Sequence, residues 1–386
     1  MAQHSSSDRR NSSTTHRRIV VKAGTHVVTG GGDGLDLTVM AGLVGQMAQL
    51  CRQGHEVLLV SSGAVAAGRQ ILGYPKERRD VPFRQVLASV GQSRLMNSYQ
   101  EMFAGHGLVV AQALLTRTDI ADVQGYLNIR DTLLTLLDAG VVPVINENDV
   151  VNTEEIGDDV FGDNDMLSAL VSNLVDADLL VILTDIDGLY TEDPAVDPNA
   201  ELIPRVDKNN VEQVVAKLTR DEIRHPWSRG GMTTKIEAAR LATSWGVEVV
   251  LARGANPKVL LDVAAGRGRR TVFAATASKM ESRKRWFLSG LSTRGEIRVD
   301  SGAASALRTR NSSLLPVGVR EVGGNFNRRD VVMIVDDEGK KVACGVTNYS
   351  SEEIAAIKGL RSDRIEETLG YRYGEEVVHR NNLAVL

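Results

Sequence analysis

The stretch Val141–Asp149 reads VVPVINEND, an apolar run that ends in four polar residues. A second polar group, GDND at residues 162–165, precedes the helical spacing of Met166–Val171. The first pattern predicts a buried strand and the second predicts the start of a helix. Asn and Asp side chains offer donors and acceptors that hold the ammonium and carboxylate groups of a zwitterion. A polar loop with an Asp N-cap needs only one such residue, so we favour a binding site.

Apolar strand patterns alternate with helical patterns along most of the chain. Strand patterns include Val57–Val60 and Leu179–Leu183, and apolar residues three and four apart between positions 40 and 51 predict an amphipathic helix. This alternation predicts an α/β fold with a doubly wound, mainly parallel sheet. Ligands of such sheets bind beyond the carboxyl ends of the strands. The polar residues Thr184 and Asp185 follow one apolar strand pattern at this position.

Two glycine-bearing turns near the N-terminus have the composition of anion sites. The first follows strand Arg18–Lys22, where Gly24 lets an anion approach the backbone and Lys22 supplies a charge. The second is Ser61–Gly68, which leads from a strand into a helix. Taken singly, each turn is equally compatible with a purely structural role. The first would then be an ordinary turn, and the second would be a closely packed helix of small residues.

A third glycine-bearing turn is Ser228–Lys235, where two glycines precede a helical pattern with a lysine in its first turn. Thr234 and Glu237 have the spacing of a capping box, which predicts that Thr234 caps the helix. A lysine in the first turn opposes the helix dipole unless an anion lies beside it. We therefore favour an anion site here over an ordinary capped helix.

The character of the sequence changes at about residue 268. Residues 269–300 hold 8 Lys/Arg against 3 Asp/Glu, and short strand patterns without long helices follow. We predict a disordered tail at 1–17, an α/β domain at 18–267, a basic linker at 268–293 and a small, separate β-barrel at 294–386. Residues 336–339 lie between two strand patterns and predict a hairpin. The tail is basic like a transit peptide, but it lacks the apolar face that such peptides need.

Composition narrows the class of protein. The chain has 386 residues, a net charge of −4 and a pI of about 6.0, which gives no electrostatic case for coating a nucleic acid. No apolar run approaches the length of a membrane span. The two cysteines, Cys51 and Cys344, lack the Cys/His spacing of a zinc site and fit a reducing cytosol. We expect a cytoplasmic protein that binds neither membranes nor nucleic acid.

Together these segments resemble the amino acid kinase family. The resemblance is carried by five runs: Val20–Thr25, Ser61–Arg69, Pro143–Asp149, Gly162–Asp165 and Gly230–Lys235. The C-terminal part resembles a PUA domain through Ser313–Pro316 and Gly324–Phe326. Any one run is a weak signal, whereas all of them in this order past residue 18 are a strong one. The resemblance implies an amino acid kinase-like α/β/α sandwich followed by a PUA-like barrel.

The resemblance also implies an activity. It is the ATP-dependent phosphorylation of the L-glutamate side-chain carboxylate to L-glutamyl 5-phosphate, the first step of proline biosynthesis. Mg²⁺ would be carried with ATP, without a metal site assigned to the protein itself. Proline would inhibit by feedback, and the chain would form a homo-oligomer, either a dimer or a tetramer.

Matching the runs position by position implies roles for individual residues. Lys22 and Lys235 would hold the transferring phosphoryl group, and Asp165 would orient both lysines. The glutamate site would comprise Ser62, Asn146, Asp149, Asp163 and Asn164. The ATP site would comprise Lys22, Gly24, Thr184, Asp185, Arg229, Gly230, Gly231, Met232, Thr233, Thr234 and Lys235.

The chemistry is consistent with these residue types. A glutamate side chain has a pKa of about 4.3 and is ionised at neutral pH, so the nucleophile needs no general base. This agrees with the absence of histidine from the polar groups. The remaining task is to align two anions and to spread the charge of the transition state, which lysines, backbone N–H groups and Mg²⁺ do.

Four features depart from the family pattern. His26 stands where Ser or Thr is usual, and Arg229 stands where a small residue is usual. The segment between residues 156 and 162 is longer than usual, and Asn381-Asn382 stands where acidic residues are common. The first two concern nucleotide handling, and the third concerns glutamate binding. None removes a lysine or a carboxylate of the site.

Three alternatives remain open on the sequence alone, and one of them, a pseudoenzyme with a purely regulatory role, is disfavoured because both lysines are present. A related acyl-phosphate-forming kinase for aspartate or N-acetylglutamate has the same fold, although the paired Asn/Asp groups favour a substrate with a free amino group. An RNA-binding or RNA-modification protein would use the PUA-like part. Residues 301–386 carry 12 Lys/Arg and 12 Asp/Glu, and this balance provides no basic patch for counterion release.

Overall fold

The computed structural model describes residues 18–73, 81–121, 123–151, 164–208, 210, 214, 231–277, 293–310 and 312–386. The chain forms two compact units. One comprises Met1–Asp122 with Ile129–Thr276, and the other comprises Val123–Asn128 with Ala277–Leu386. Within the described ranges, no helix has the length and apolar character needed to cross a membrane.

Strands and helices alternate through the first 276 residues. The strands are β1 (Arg18–Ala23), β2 (Glu56–Ser61), β3 (Val110–Leu115), β4 (Val142–Glu147), β5 (Leu179–Thr184), β6 (Arg205–Val206), β7 (Glu248–Arg253) and β8 (Thr271–Phe273). The helices are α1 (Thr25–Val28), α2 (Leu37–Arg52), α3 (Ala64–Leu72), α4 (Val81–Ala104), α5 (Arg117–Ala121), α6 (Val123–Asp138), α7 (Asn164–Leu174), α8 (Met232–Ser244) and α9 (Val259–Ala264).

The eight strands form one sheet in the order β3-β4-β2-β1-β5-β7-β8-β6. Neighbouring strands are parallel except β7 and β8, which are antiparallel. Strands β4 and β5 are buried along their whole length, as expected when helices cover both faces of a parallel sheet. The predicted doubly wound, mainly parallel sheet is confirmed.

Helix α2 shows how the sequence builds the core of this unit. Its apolar residues recur three and four apart, so one face of the helix is buried and includes Met40, Leu43 and Met47. These side chains belong to the same cluster as the buried residues of β1 and β2. The helix begins where the Asp36 carboxylate accepts hydrogen bonds from the N–H groups of Thr38 and Val39.

The strand order determines where a ligand site forms. Strand β1 lies between β2 and β5, and the chain adds strands to its two sides in turn. The carboxyl ends of β4, β2, β1 and β5 are therefore adjacent at the point where the direction of sheet growth reverses. Open α/β sheets bind their ligands at this point.

The first sheet extends past the boundary that the sequence suggested. Strand β8 pairs with β7 and β6, so residues 271–273, which we assigned to the linker, belong to the first sheet. The first unit accordingly runs to Thr276 rather than to residue 267. Residues 278–292 of the expected linker and the tail at 1–17 lie outside the described residues.

The second unit contains a mixed five-stranded sheet. Its strands are β9 (Gly295–Val299), β10 (Val319–Gly324), β11 (Val331–Val335), β12 (Lys341–Val346) and β13 (Leu383–Val385), and its helices include α10 (Ser301–Arg310), α11 (Ser351–Ile357) and α12 (Ile365–Leu369). The sheet order is β10-β9-β11-β12-β13. The antiparallel pairing of β11 with β12 confirms the predicted hairpin. The unit has its own buried core around Ile297, Phe326 and Tyr349.

Candidate active site

The carboxyl ends of four adjacent strands bring sequence-predicted residues to one edge of the sheet. Lys22 lies near the end of β1, and Ser62 directly follows β2. Asn146 lies near the end of β4, and Thr184 is the last residue of β5. Parallel strands end on the same side, so the sheet itself gathers these side chains.

Three charged side chains form a buried cluster above this edge. Lys22 Nζ lies 2.6 Å from Asp165 Oδ1, and Lys235 Nζ lies 3.2 Å from Asp165 Oδ2. Lys22 is 6% exposed and Asp165 is 4% exposed. The predicted association of the two lysines with Asp165 is thus present in the geometry. The three side chains together carry one net positive charge, and Lys22 and Asp165 are largely shielded from water.

Asp165 remains ionised despite its burial. Burial raises the pKa of this carboxyl, but the charges of Lys22 and Lys235 outweigh burial and hold the pKa below its ordinary value of 3.8. Asp165 also lies in the first turn of α7, where the helix dipole favours a negative charge. The ionised carboxylate therefore makes a charge-assisted contact with each of the two lysines.

We expect Asp165→Asn to lose stability at neutral pH and to be less sensitive to acid than the wild type. The folded-state pKa of Asp165 lies below its unfolded value, so the carboxylate contributes stability above the unfolded pKa of about 3.9. That contribution is lost as the pH falls through the folded-state pKa, whereas asparagine does not titrate. Urea unfolding followed by circular dichroism, from neutral pH down to about pH 2, should show the wild type's advantage shrinking.

The matched control for this experiment is Asp138→Asn, which alters an exposed carboxylate at the end of α6. Its stability at neutral pH should stay close to that of the wild type, because the side chain is exposed. A difference between wild type and Asp165→Asn that stays constant over the whole pH range would contradict a depressed pKa at Asp165.

Helix α8 carries Lys235 in its first turn. The helix begins at Met232, its N-cap is Gly231, and no side chain caps it. The capping box predicted for Thr234 is therefore wrong. The Thr234 hydroxyl instead donates to Asp165 Oδ2 at 3.1 Å, and Lys235 Nζ donates to the Gly231 carbonyl at 2.6 Å. The Thr234 hydroxyl therefore bonds Asp165, a residue distant in the sequence, instead of capping its own helix as the local spacing predicted.

A chain of side-chain amides connects β4 with α7. Asn146 Nδ2 donates to Gln92 Oε1 at 2.8 Å, and Asn146 Oδ1 accepts from Asn164 Nδ2 at 3.0 Å. Asn164 Nδ2 also donates to Ser62 Oγ at 2.8 Å. Because each amide fixes the orientation of the next, Asn164 Oδ1 is left buried without a hydrogen-bond partner in the described part of the chain. A buried acceptor of this kind is suited to a ligand that donates hydrogen bonds.

A cavity of about 430 Å³ lies beside these groups. Its size falls within the usual range of roughly 300–1,000 Å³ for small-molecule sites. Its wall includes the predicted glutamate-site residues Ser62, Asn146, Asp149 and Asn164. The lining also includes Thr25 and His26, Gly31 to Asp33, the first turn of α3, Arg69 and Arg84. His26, which departs from the family pattern, thus lies at the cavity.

The turn into α3 requires glycine at position 63. Gly63 has a φ of 109°, in the left-handed region, and a Cβ there would lie 2.7 Å from Val28 Cγ2. The turn begins where the Ser62 N–H donates to the Ala23 carbonyl at 2.9 Å. This arrangement holds the N-terminus of α3 against the cavity.

The structure also locates several predicted nucleotide-site residues. Gly24 precedes α1, close to Lys22 Nζ. Thr184 is buried and donates to Asp185 Oδ1 at 2.9 Å, while Asp185 itself is exposed. Residues 231–235 form the start of α8. Asp163, Arg229 and Gly230 lie outside the described residues.

Sequence reasoning missed two buried or half-buried residues of α4 that support the site. Gln92 orients Asn146, as described above. Tyr99 Oη and Ser61 Oγ share a buried hydrogen bond of 2.7 Å beneath the site, and burial raises the pKa of Tyr99 to about 12. Both residues lie within a long helix with little amphipathic contrast, so no local pattern marks them.

The described residues contain no group of three or more His, Cys, Asp or Glu side chains that could hold a metal ion. Mg²⁺ is usually bound through one or two carboxylates together with substrate phosphates and water, rather than in a cage made by the protein.

Comparisons with known proteins agree with this geometry. The model of the amino acid kinase family matches residues 17–253, and the model of the PUA domain matches residues 295–369. A glutamate 5-kinase from Dehalococcoides mccartyi (strain CBDB1) is 50% identical over 373 residues, which cover 96% of this chain and 99% of that protein.

Two further relatives show the same pattern. A glutamate 5-kinase from Herpetosiphon aurantiacus is 50% identical over 368 residues, covering 95% of this chain and 98% of that protein. A glutamate 5-kinase from Thermus thermophilus is 48% identical over 369 residues, covering 96% of this chain and 97% of that protein.

Proposed function

The chain belongs to the amino acid kinase family and within it to the glutamate 5-kinases, and from this premise we propose its reaction. It transfers the γ-phosphoryl group of ATP to the side-chain carboxylate of L-glutamate. The product is L-glutamyl 5-phosphate, and the reaction is the first step of proline biosynthesis. The observation that carries the proposal is the buried cluster of Lys22, Asp165 and Lys235, in which Asp165 directly follows Asn164, a residue that lines the cavity.

The net positive charge of the cluster suits a phosphoryl transfer to a carboxylate. The nucleophile is already an anion, so the enzyme must overcome repulsion between two anions and stabilise negative charge on the transferring group. Lys22 and Lys235 supply fixed positive charges where water is largely excluded, and such charges need little reorganisation during the reaction. Asp165 contacts both lysines and so holds the two ammonium groups close to each other.

The amide chain and Asp149 form the proposed glutamate site. Asn164 Oδ1 accepts from the substrate ammonium, and Asp149 supplies a carboxylate to the same group. Asn146 and Ser62 fix the orientation of Asn164. Asp163 is assigned to this site from the resemblance alone.

The proposed nucleotide site comprises Lys22, Gly24, Thr184, Asp185 and the segment 229–235. Support comes from the position of Thr184 and Asp185 at the carboxyl end of β5, and from the uncapped N-terminus of α8 in the same unit. Mg²⁺ arrives with ATP and helps to neutralise the phosphate charge. Arg229 and Gly230 are included on the resemblance.

We expect Asp149→Asn to raise the KM for glutamate while leaving the KM for ATP unchanged. The substitution keeps the shape of the side chain and removes its charge, and a charge-assisted hydrogen bond is worth roughly 1.5–3 kcal/mol. The KM for glutamate should therefore rise about ten- to hundred-fold. The measurement is steady-state kinetics with glutamate, ATP and Mg²⁺ titrated separately.

Asp138→Asn serves again as the control, because it removes an exposed carboxylate that lies outside the cavity lining. A variant whose glutamate KM is unchanged while its Mg²⁺ requirement rises would make Asp149 a metal ligand and remove it from the substrate site.

Three further properties are proposed on the family resemblance. Proline inhibits the reaction by feedback, the chain forms a homodimer or homotetramer, and the protein acts in the cytoplasm. Sedimentation velocity gives the oligomeric state, and titration of proline at fixed glutamate tests inhibition. Activity that is unaffected by proline at any concentration would remove the feedback proposal and leave the reaction itself standing.

A further inference from the structure

The cavity contains positive charge that the reaction described above does not use. Arg69 of α3 and Arg84 of α4 both line it, together with the first turn of α3. Asp149 and Asn164, the proposed ammonium-binding residues, line the same cavity. A free amino acid carries a carboxylate beside its ammonium group, so a cavity with both polarities matches both ends of its α-carbon.

Arg69 is placed to reach the N-terminal end of α3. It lies four residues after Val65 and three after Ala66, so all three side chains share one face of the helix. Helical side chains lean back toward the N-terminus and cover the preceding turn. This geometry predicts that the Arg69 guanidinium lies toward the first turn of the helix, and Arg69, Val65 and Ala66 all line the cavity.

One donor of Arg69 lacks an acceptor inside the described part of the chain. Its Nε is buried there without a hydrogen-bond partner. A buried guanidinium N–H that lacks an acceptor carries a desolvation cost, and an anionic ligand removes that cost. The fork of a guanidinium matches the two oxygens of a carboxylate.

The N-terminus of α3 adds donors to the same wall. Gly63 is its N-cap and offers no side chain, and no side chain caps the first turn. The first N–H groups of a helix have no partner within the helix, and the helix dipole gives them positive character. On the other side of the site, Asn164 is 6% exposed and presents an unpartnered acceptor.

We propose that Arg69 and the N-terminus of α3 bind the α-carboxylate of the amino acid substrate, opposite the ammonium contacts of Asn164 and Asp149. This inference rests on the proposed function and names a recognition element for it. Arg84 adds positive charge to the same region. When the α-carboxylate and the ammonium are held at separate points, the side-chain carboxylate is left to face Lys22. Only a free α-amino acid with a side-chain carboxylate makes all three contacts.

The test compares two ligands that differ only at the α-carboxylate. L-Glutamate and L-isoglutamine, its α-amide, share the ammonium and the side-chain carboxylate. Isothermal titration gives their Kd values for the wild type, Arg69→Met and Arg69→Lys without needing turnover. The wild type should bind glutamate about ten- to hundred-fold more tightly than the amide.

In Arg69→Met this preference should fall to about two- to five-fold, the part that the helix N-terminus supplies. Arg69→Lys should give an intermediate value, because it keeps the charge and loses the fork. Arg52→Met, which removes an exposed charge at the end of α2, should leave the wild-type preference unchanged. Circular dichroism checks the fold of each variant, and the lysine variant carries the test if the methionine variant does not fold.

Each outcome of the titrations either supports or overturns the proposed α-carboxylate subsite or the proposed function. An equal preference in the wild type and both Arg69 variants, or a wild type that does not distinguish or bind the two ligands, overturns the subsite. A preference that falls in the variants supports it. A wild type that binds glutamate with this preference yet forms no acyl phosphate would leave the subsite standing and overturn the proposed function.

Discussion

Lys22→Ala and Lys235→Ala are each expected to lower kcat by about 10²- to 10³-fold, which corresponds to about 2.7–4 kcal/mol of transition-state stabilisation. Both ammonium groups lie within 3.2 Å of Asp165, in a site where little water is available to replace a lost charge. The charge on the transferring phosphoryl group would then lose one of its two fixed counterions. The measurement is the initial rate at saturating glutamate and ATP.

The two variants differ in what they do to the fold. Lys22 and Asp165 are both more than nine-tenths buried, so Lys22→Ala leaves a buried carboxylate with one partner fewer and lowers stability as well. The Lys235 side chain is more exposed, and its removal should leave the fold closer to that of the wild type. Circular dichroism and urea unfolding separate the two effects.

Lys258→Ala is the matched control, because Lys258 is an exposed lysine of the same unit. Its kcat should equal that of the wild type. A folded Lys22 or Lys235 variant that retains the wild-type kcat would show that its lysine has no part in phosphoryl transfer.

Gly91→Ala is expected to destabilise the first unit by about 3 kcal/mol or more. A Cβ at this position of α4 would lie 1.8 Å from the Ala64 carbonyl oxygen and 2.4 Å from the Gly68 backbone nitrogen. Both atoms belong to the backbone of α3, so no side chain can rotate to make room. Because α3 presents its first turn to the cavity, its displacement should also weaken glutamate binding.

Gly42→Ala provides the contrast. Gly42 lies in α2, and a Cβ there would meet nothing within 4 Å, so alanine should raise the free energy of unfolding by about 0.5–1 kcal/mol. Urea unfolding of both variants gives the comparison. Equal stability of Gly91→Ala and the wild type would contradict the close backbone contact of α3 with α4.

The sequence was sufficient to predict the sheet and its functional edge, for a physical reason. Strands of a parallel sheet are covered on both faces and therefore appear as unbroken apolar runs. Their carboxyl ends are marked by the abrupt change to Lys22, Ser62, Asn146 and Thr184. Local composition was therefore enough to predict both the strands and the edge of the sheet where the polar side chains lie.

Contacts between distant segments could not be predicted in this way. Thr234 has the spacing of a helix cap, yet its hydroxyl bonds Asp165 of another helix. Gln92 and Tyr99 support the site from α4, whose sequence shows no feature that singles them out. Each of these depends on packing that only the folded chain defines.

The central claim is that the chain makes an acyl phosphate on the side chain of free glutamate. Hydroxylamine traps acyl phosphates as hydroxamates, so the decisive measurement is hydroxamate formation with ATP and Mg²⁺ across glutamate, aspartate and N-acetylglutamate. We predict hydroxamate from glutamate well above the other two, with none when ATP is omitted. Faster reaction with aspartate or N-acetylglutamate, or no hydroxamate from glutamate, would contradict the account.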